Sequence, residues 1–218
     1  MQSSELVVSR RGGRPRRAAP RRIQGMGQLI AHPPPINSYG ITRDMRLRFV
    51  TNAAFSGVIT FQNILDTVLF ATSATVGYDL FTAVRINAVE IWAMPAIGQT
   101  SQIILSFSGQ TAGAVGDDKL HTDTSMGVQP AHVRAHPDPL TQTGQFQASS
   151  SANALTLSLP SGAVIDVSVT MRQPFDGDVK QCQNSLSGAT TGATYFRGLD
   201  GLATAATKFN PQGSFAVQ

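Results

Sequence analysis

The stretch IDVSVTMR, residues 165–172, alternates apolar and polar side chains without interruption. Its four apolar residues occupy the odd-numbered positions, and its aspartate, serine, threonine and arginine occupy the even-numbered positions. Successive side chains of a β-strand point to opposite faces, so this period of two predicts a strand with one buried and one exposed face.

Other parts of the chain show related patterns. In residues 43–50 a methionine, a leucine and a phenylalanine alternate with Arg46 and Arg48, which predicts a strand. In residues 84–94 the apolar phase changes between Ala88 and Val89, which predicts a β-bulge or burial on both faces. Further strands are predicted at residues 55–61, 103–107, 155–159 and 194–197.

One helix is predicted where four apolar residues have helical spacing, namely Ile64, Leu65, Val68 and Leu69. Asn63 is its expected N-cap, with Asp66 at the third helical position. Residues 109–145 have little periodicity, so they are expected to form a long loop that is functional or belongs to an interface. The tail, residues 203–218, is expected to be a loop as well.

These patterns predict an all-β chain folded as an antiparallel β-sandwich with one short helix, because short alternating strands are separated by turn residues. The composition is 41% hydrophobic and only 14% charged, which excludes a long coiled coil and a fully disordered chain. The longest apolar run is too short to span a membrane. The single cysteine, Cys182, excludes an internal disulfide framework.

Positive charge is concentrated at the beginning of the chain. Residues 1–22 contain seven arginines and one acidic residue, a charge of +6, whereas the other 196 residues carry ten basic and twelve acidic side chains, a charge of −2. The seven are Arg10, Arg11, Arg14, Arg16, Arg17, Arg21 and Arg22. Interspersed glycines and prolines disfavour a helix, and residues 33–35 are three prolines, so residues 1–40 are predicted to be a disordered arm with a stiff spacer. The folded domain is predicted to be residues 41–218.

The arm is expected to bind nucleic acid, because the planar guanidinium group suits phosphate oxygens. Residues 10–22 contain no aromatic side chain, so base stacking and sequence reading are not expected. A nuclear-import signal, a solvated tail and a mitochondrial presequence are the alternatives. Arg43, Arg46 and Arg48 extend the basic character into the first strand, either as a solvated face or as further nucleic-acid-binding residues.

Catalytic and metal-binding patterns are weak. A polar cluster consists of Asp117, Asp118, His121, Asp123, His132, His136 and Asp138. Pro130 and Pro137 bracket the histidine pair at 132 and 136 and disfavour the helix that would bring its members onto one face, so no metal and no cofactor are expected. No Gly-x-Ser-x-Gly motif is present, and Cys182 has no neighbouring histidine, so no enzymatic activity is expected. Trp92 is expected in the core or at a subunit interface.

The arginine-rich arm, the proline spacer and the neutral sandwich together resemble a viral capsid protein with a single jelly roll of eight strands in two sheets. Three segments resemble the capsid proteins of small circular Rep-encoding single-stranded DNA (CRESS-DNA) viruses, and the likeness spans residues 41–203. The segments are ITFQNILDTVLFATSATVGYDLFTAVRINAVEIWAM (59–94), DDKLHTDTSMGVQPAHV (117–133) and YFRGLDGLA (195–203).

The resemblance implies a shell protein that associates with itself into an icosahedral particle, with about 60 copies (T=1) as the simplest closed form. It also implies that the arm faces inward onto a single-stranded genome, DNA more than RNA, in a virion assembled in the host nucleus or cytoplasm. No membrane partner is implied, and a host receptor is left unidentified. A capsid protein of a small single-stranded RNA virus and a non-viral nucleic-acid-binding sandwich are the alternatives. Residues 109–145 are then expected at a subunit contact or on the outer surface, with their histidines free of metal.

Overall fold

The computed structural model describes residues 40–96, 98–111, 114–174, 182–213 and residue 217. Residues 1–39 of the predicted arm, including its seven arginines and the proline spacer, lie outside the described residues, and Gly40 is the first residue of the first strand. Within the described part the chain forms sixteen strands and one helix, and no helix there is long and apolar enough to cross a membrane. The elements are β1 (Gly40–Thr51), β2 (Phe55–Thr60), α1 (Phe61–Leu65), β3 (Val68–Ala71), β4 (Val76–Asp79), β5 (Ala83–Ala93), β6 (Ser101–Phe107), β7 (Gln110–Thr111), β8 (Ala114–Val115), β9 (Lys119–Ser125), β10 (Ala131–Ala135), β11 (Gln147–Ala148), β12 (Asn153–Leu159), β13 (Val164–Pro174), β14 (Gln183–Ser185), β15 (Thr194–Phe196) and β16 (Phe209–Pro211).

Eight of these strands build two facing antiparallel sheets. Sheet I has the order β10-β5-β13-β1, extended by β16 beside β1 and by β11 beside β5, and sheet II has the order β2-β12-β6-β9. When the eight strands are lettered B to I along the chain, sheet I reads G-D-I-B and sheet II reads C-H-E-F. This is the strand order of a jelly roll, so the predicted all-β sandwich is confirmed.

The inner faces of the two sheets form one apolar core. In β13 the four apolar residues of the alternating stretch at 165–172 are fully buried, as predicted. Sheet II contributes inward side chains such as Ile103, Leu105 and Leu157, which are also fully buried. A third sheet, sheet III, has the order β14-β4-β3-β15 and has its own small apolar cluster around Leu69 and Tyr195.

The predicted irregularity in β5 is a β-bulge. Ser168 pairs with Ala88, whereas the next residue, Val169, pairs with Ile86, so Asn87 is the extra residue. Its side-chain Nδ2 donates to Thr170 Oγ1 at 2.8 Å. The bulge restores the apolar residues on both sides of it to the core face.

The predicted helix was wrong in its extent. α1 is only five residues long and begins one turn earlier, because Thr60 is the N-cap and accepts a hydrogen bond from the backbone N–H of Asn63. Phe61, expected in a strand, is its first residue, and Asp66 is its C-cap. Val68 and Leu69 belong to β3, where both are buried. A short helix followed by a strand buried on both faces gives the same apolar spacing as one longer helix.

The expectation of a long loop at residues 109–145 was also wrong. This segment contains β7, β8 and two strands of the jelly roll, β9 and β10. In β10 three buried core positions are occupied by Ala131, Val133 and Ala135, which give a weak hydrophobic signal. β9 is an edge strand whose side chains are all at least partly exposed. The tail was expected to be a loop as well, but it contains β16.

Leu157 gives a direct test of the core. It is fully buried in β12, a central strand of sheet II, between Gly57 and Leu105 in register. We expect Leu157→Ala to lower the free energy of unfolding by about 2–5 kcal/mol, because it removes buried methyl groups and leaves a cavity. The neighbouring Thr156→Ala, on the exposed face of the same strand, should cost less than about 1 kcal/mol. Urea denaturation of both variants measures the difference, and equal losses would show that the inner face of sheet II is not a packed core.

Candidate nucleic-acid interface

The outer face of sheet I is charged. Five arginines and three acidic residues project from its strands, which leaves a formal excess of two positive charges on this face. They are Asp44, Arg46, Arg48, Arg85, Glu90, Arg134, Asp166 and Arg172. Cross-strand register brings four of them into one row across the sheet, in the order Arg48, Asp166, Glu90, Arg134.

Asp166 is the centre of this row. Its side chain is only 1% exposed, although it belongs to the outward set of β13. Arg48 Nε lies 2.6 Å from Asp166 Oδ1, and Arg46 Nη2 lies 2.6 Å from Asp166 Oδ2. Arg46 Nη2 also lies 3.0 Å from Glu90 Oε2. Two of the predicted nucleic-acid-binding arginines are therefore each paired with a carboxylate of their own sheet, and about half of each side chain remains exposed.

The two guanidinium groups also set the protonation of Asp166. Burial on its own raises the pKa of this carboxyl, but the hydrogen bonds from Arg48 and Arg46, together with their charges, outweigh burial and hold the pKa below its usual value. Asp166 is consequently ionised throughout the neutral range, and the ion-paired network is intact there.

Trp92 and His132 form an aromatic pair beside the charged row. Their rings stack with centroids 5.4 Å apart, and Arg48 lies 5.9 Å from the Trp92 ring centre. His132 Nε2 is 3.1 Å from Glu90 Oε1. Trp92 thus lies on the outer face of sheet I, so the prediction that it lies in the core was wrong. The alternative, a position at a subunit interface, stays a prediction.

Three exposed arginines have no ion pair among the described residues. Arg134 and Arg172 lie on the outer face of sheet I at opposite ends of the charged area. Arg43 lies on the other side of β1, at a groove of about 440 Å³ lined mainly by apolar side chains such as Leu80 and Phe81. The three arginines predicted in the first strand therefore do not share one face. Arg134 and Arg172 were not predicted as binding residues, although Arg172 falls on the polar face of the alternating stretch.

The cluster considered for metal binding is dispersed. Asp138 Oδ2 is 3.4 Å from Lys119 Nζ, Asp118 Oδ1 accepts from the Gly109 N–H, and His136 Nδ1 is 2.9 Å from the Asn87 carbonyl oxygen. Asp123 accepts hydrogen bonds from the backbone N–H groups of Thr124 in β9 and His132 in β10. Across the described part of the chain, no three His, Cys, Asp or Glu side chains gather in a metal-binding arrangement.

The outer face of sheet II differs sharply from that of sheet I, because no charged residue projects from its strands. The cross-strand rows consist of serine, threonine and glutamine with a few apolar residues. The set is Ser56, Val58, Thr60, Gln102, Ile104, Ser106, Leu120, Thr122, Thr124, Thr156 and Ser158. Leu120, with 65% of its surface exposed, is the most exposed large apolar side chain of this set.

Comparisons with known proteins give weak likenesses. No protein-family model and no curated protein matches this sequence. One similar solved structure is the virus-like particle of the extra small virus of the giant freshwater prawn Macrobrachium rosenbergii, at 11% identity and a TM-score of 0.36, covering 78% of this chain and 96% of that chain. Another is a picornavirus capsid, an expanded equine rhinitis A virus particle, at 11% identity and a TM-score of 0.19, covering 86% of this chain and 98% of that chain. At such TM-scores the likeness carries no functional argument, and the fold assignment rests on the strand order of the chain itself.

The network around Asp166 predicts a specific pH dependence. A carboxyl with a lowered pKa in the folded state stabilises the fold above its unfolded pKa of about 4, and this contribution is lost as the pH falls through the folded value. We expect Asp166→Asn to lower the free energy of unfolding at pH 7 by about 1–2 kcal/mol, since both arginine partners are half exposed. The difference in the free energy of unfolding between this variant and the wild type should narrow as the pH falls below about 4. Denaturant unfolding across this range measures it, with the exposed Asp117→Asn as control, and a gap independent of pH would contradict the assignment.

Proposed function

We propose that this chain is the coat subunit of a small virus, which assembles with copies of itself into an icosahedral shell and binds the single-stranded genome through its arginine-rich arm. One observation carries the proposal: a jelly roll that is preceded in the chain by a segment with seven arginines. We assign residues 1–40 as the arm and residues 41–218 as the shell domain. About 60 copies, the simplest icosahedral number, would bring about 420 arginine charges from their arms to the interior.

Other proteins that use the jelly roll fit this chain less well. Jelly rolls also occur in lectins and in cupins. A cupin site needs several histidines directed into the barrel. Among the described histidines only His121 lies on the inward side of its strand, whereas His132 and His136 lie on the outer side of sheet I, at Glu90 and at the Asn87 carbonyl. Sugar binding gives no reason for a +6 segment ahead of the domain. We therefore propose a structural, non-enzymatic role without a cofactor.

The surface supports contact between like copies. The outer face of sheet II can be covered without desolvating a charge, which is the main cost of burying a polar surface. Closed symmetric assemblies reuse the same surface in each copy, so residues at or near a symmetry axis meet their own counterparts. Uncharged side chains avoid like-charge repulsion at such positions. Residues 109–145, with β9 at the edge of sheet II, remain our prediction for part of a subunit contact or the outer surface.

The arm is proposed as the principal genome-binding element, and the body as a lesser one. Arg46 and Arg48 are already paired with Asp166 and Glu90, so a phosphate would have to compete with these carboxylates. Arg43 is free of such pairing among the described residues and can add a contact. The proposed binding set is Arg10, Arg11, Arg14, Arg16, Arg17, Arg21, Arg22, Arg43, Arg46 and Arg48.

A single-stranded DNA genome is our finer proposal, and it rests on the resemblance of three sequence segments to capsid proteins of CRESS-DNA viruses. Phosphate contacts are common to DNA and RNA, so an RNA virus is the alternative. Sedimentation and electron microscopy of the purified full chain test the shell, since a nucleic-acid-binding module would sediment as a monomer or small oligomer. Nuclease typing of the extracted nucleic acid distinguishes DNA from RNA. We propose the virion as the site of the mature protein, with assembly in the host nucleus or cytoplasm.

The division into arm and shell domain predicts that residues 41–218 alone still form closed particles. The described sheets contain the apolar core and the uncharged outer face, whereas the arm contributes self-repelling charge. Electron microscopy of the truncated and full-length proteins, prepared side by side at equal concentration and ionic strength, is the measurement. If the full chain forms particles and the truncated chain remains monomeric, the arm is a structural element of the shell.

Binding by the arm should depend steeply on salt. If all seven arginines of residues 10–22 contacted a single strand, log affinity would fall against log salt concentration with a slope of about −5. We expect a slope of about −3 to −5 for a peptide of residues 1–40, with similar affinity for DNA and RNA of any sequence. Replacing Arg16, Arg17, Arg21 and Arg22 by alanine should flatten the slope by about two to three.

Lysine at the same four positions is the matched control and should retain most of the slope, because counterion release depends on charge. Fluorescence anisotropy at several salt concentrations measures the slopes. An affinity independent of salt, or one that differs tenfold or more between homopolymers, would mean that the arm recognises bases or shape.

A further inference from the structure

A second polar cluster is buried where sheet III meets α1, away from the charged face of sheet I. It consists of Asp66, the C-cap residue of α1, Asp79, the last residue of β4, Asn184 in the middle of β14, and Arg197, directly after β15. Asp66, Asp79 and Arg197 are buried, and Asp79 is only 1% exposed. The cluster therefore joins three strands of sheet III to the end of the helix.

Asn184 holds the two carboxyl groups together. Its Nδ2 donates to Asp66 Oδ1 at 3.0 Å and to Asp79 Oδ1 at 3.0 Å, so one amide group bridges both acids. Both N–H hydrogens of the amide are spent in this way, one on each carboxyl. The second oxygen of each carboxyl must find its partner elsewhere.

Asp79 Oδ2 has no hydrogen-bond partner among the described residues, and it is buried. A buried carboxylate oxygen without a donor is costly, because it loses its water and gains nothing in return. The carboxyl of Asp66 is the neighbour of that of Asp79, because both accept from the same Asn184 nitrogen, and a hydrogen bond between two carboxyl groups requires a proton on one of them.

The charge of the cluster leads to the same result. Arg197 is the cation that faces the two acids, and its Nη2 donates to the Ser185 carbonyl oxygen while its Nε has no partner among the described residues. Nearby ionisable groups have other partners: the Asp200 carboxylate accepts from Thr207 Oγ1 and the Lys208 N–H, and the Cys182 thiol donates to Ser149 Oγ. Two ionised carboxylates and one guanidinium would leave a buried net charge of −1, whereas one added proton makes the cluster neutral.

Burial and neighbouring groups move the titration of Asp79 to slightly alkaline pH. Burial raises the pKa of Asp79 to about 8, and the hydrogen bond and charge of Asp66 act in the same direction. The Asn184 hydrogen bond and the charge of Arg197 lower it in part. An ordinary aspartate would have lost its proton near pH 4.

We propose that Asp79 keeps its proton at neutral pH and directs it at the Asp66 carboxyl, and that this pair is an alkaline-sensitive latch that holds sheet III against α1. Release of the proton leaves two carboxylates in contact inside the fold, with one guanidinium to balance them. The latch is a property of the folded subunit and does not depend on the proposed shell function.

The direction of the pH effect follows from linkage. Between about pH 4 and pH 8 the folded chain holds a proton that the unfolded chain has lost, so stability falls as the pH rises through this interval. This is opposite to the effect of Asp166, whose contribution is lost towards acid. The wild-type full chain should therefore lose about 5–10 °C of its unfolding midpoint between about pH 6 and pH 9 through this pair.

Asp79→Asn tests the latch in the full-length protein. The asparagine amide replaces the protonated carboxyl, with its oxygen accepting from Asn184 and its N–H₂ donating to Asp66. We expect the variant to fold and to lose most of the decline between about pH 6 and pH 9. Asp117→Asn, at an exposed site, is the matched control and should keep the wild-type decline. A decline in Asp79→Asn equal to that of the wild type would overturn the proposal.

Infrared spectroscopy gives a second measurement that does not depend on the variant folding. The wild type should show one equivalent of protonated carboxylic acid at pH 7, which disappears by about pH 9. Absence of that band at pH 7 would overturn the proposal. Stabilisation of the wild type by added calcium chloride, lost in Asp79→Asn, would overturn it too, because it would mean that both carboxylates are ionised and hold a cation.

Discussion

The position of β13 in the middle of sheet I is the constraint on which the rest of the structure depends. It pairs with β1 on one side and β5 on the other, and its strict alternation commits one set of side chains to the core and the other to the outer face. A slip of one residue would turn Asp166 and its polar neighbours into the core and expose four apolar residues. The register that buries Ile165 and Val167 is thus the same register that places Asp166 between Arg46 and Arg48.

Strands with large apolar side chains on one face could be predicted from the sequence, because burial of those side chains decides their conformation. β1, β5, β6, β12 and β13 are of this kind, and even the bulge in β5 was visible as a change of phase. β9 and β10 were missed, since their core positions are filled by polar or small residues and their stability comes from pairing with β6 and β5. The predicted start of the helix was one turn too late, because its N-cap, Thr60, is also the last residue of a strand.

The candidate site was predictable only in part, for a different reason. Arginines can be found by charge alone, but their partners cannot, because Arg48 and Asp166 are 118 residues apart in the chain and meet only through strand register. The Asp66–Asp79 pair was even less predictable from the sequence. Neither acid stands out in the sequence, and the bridging Asn184 comes from a three-residue strand that local patterns do not reveal.

Charge is separated along this chain as well as across the sandwich, and the two separations have different consequences. Across the sandwich, sheet I carries the charged outer face and sheet II the uncharged one, so a body with a net charge near zero still has two chemically distinct sides. Within the charged side, Arg46 and Arg48 are already balanced by the carboxylates of Asp166 and Glu90. Charges neutralised in this way are poorly available to a polyanion. In the proposed function, strong, sequence-independent attraction to phosphate is therefore assigned mainly to the seven arginines of residues 10–22.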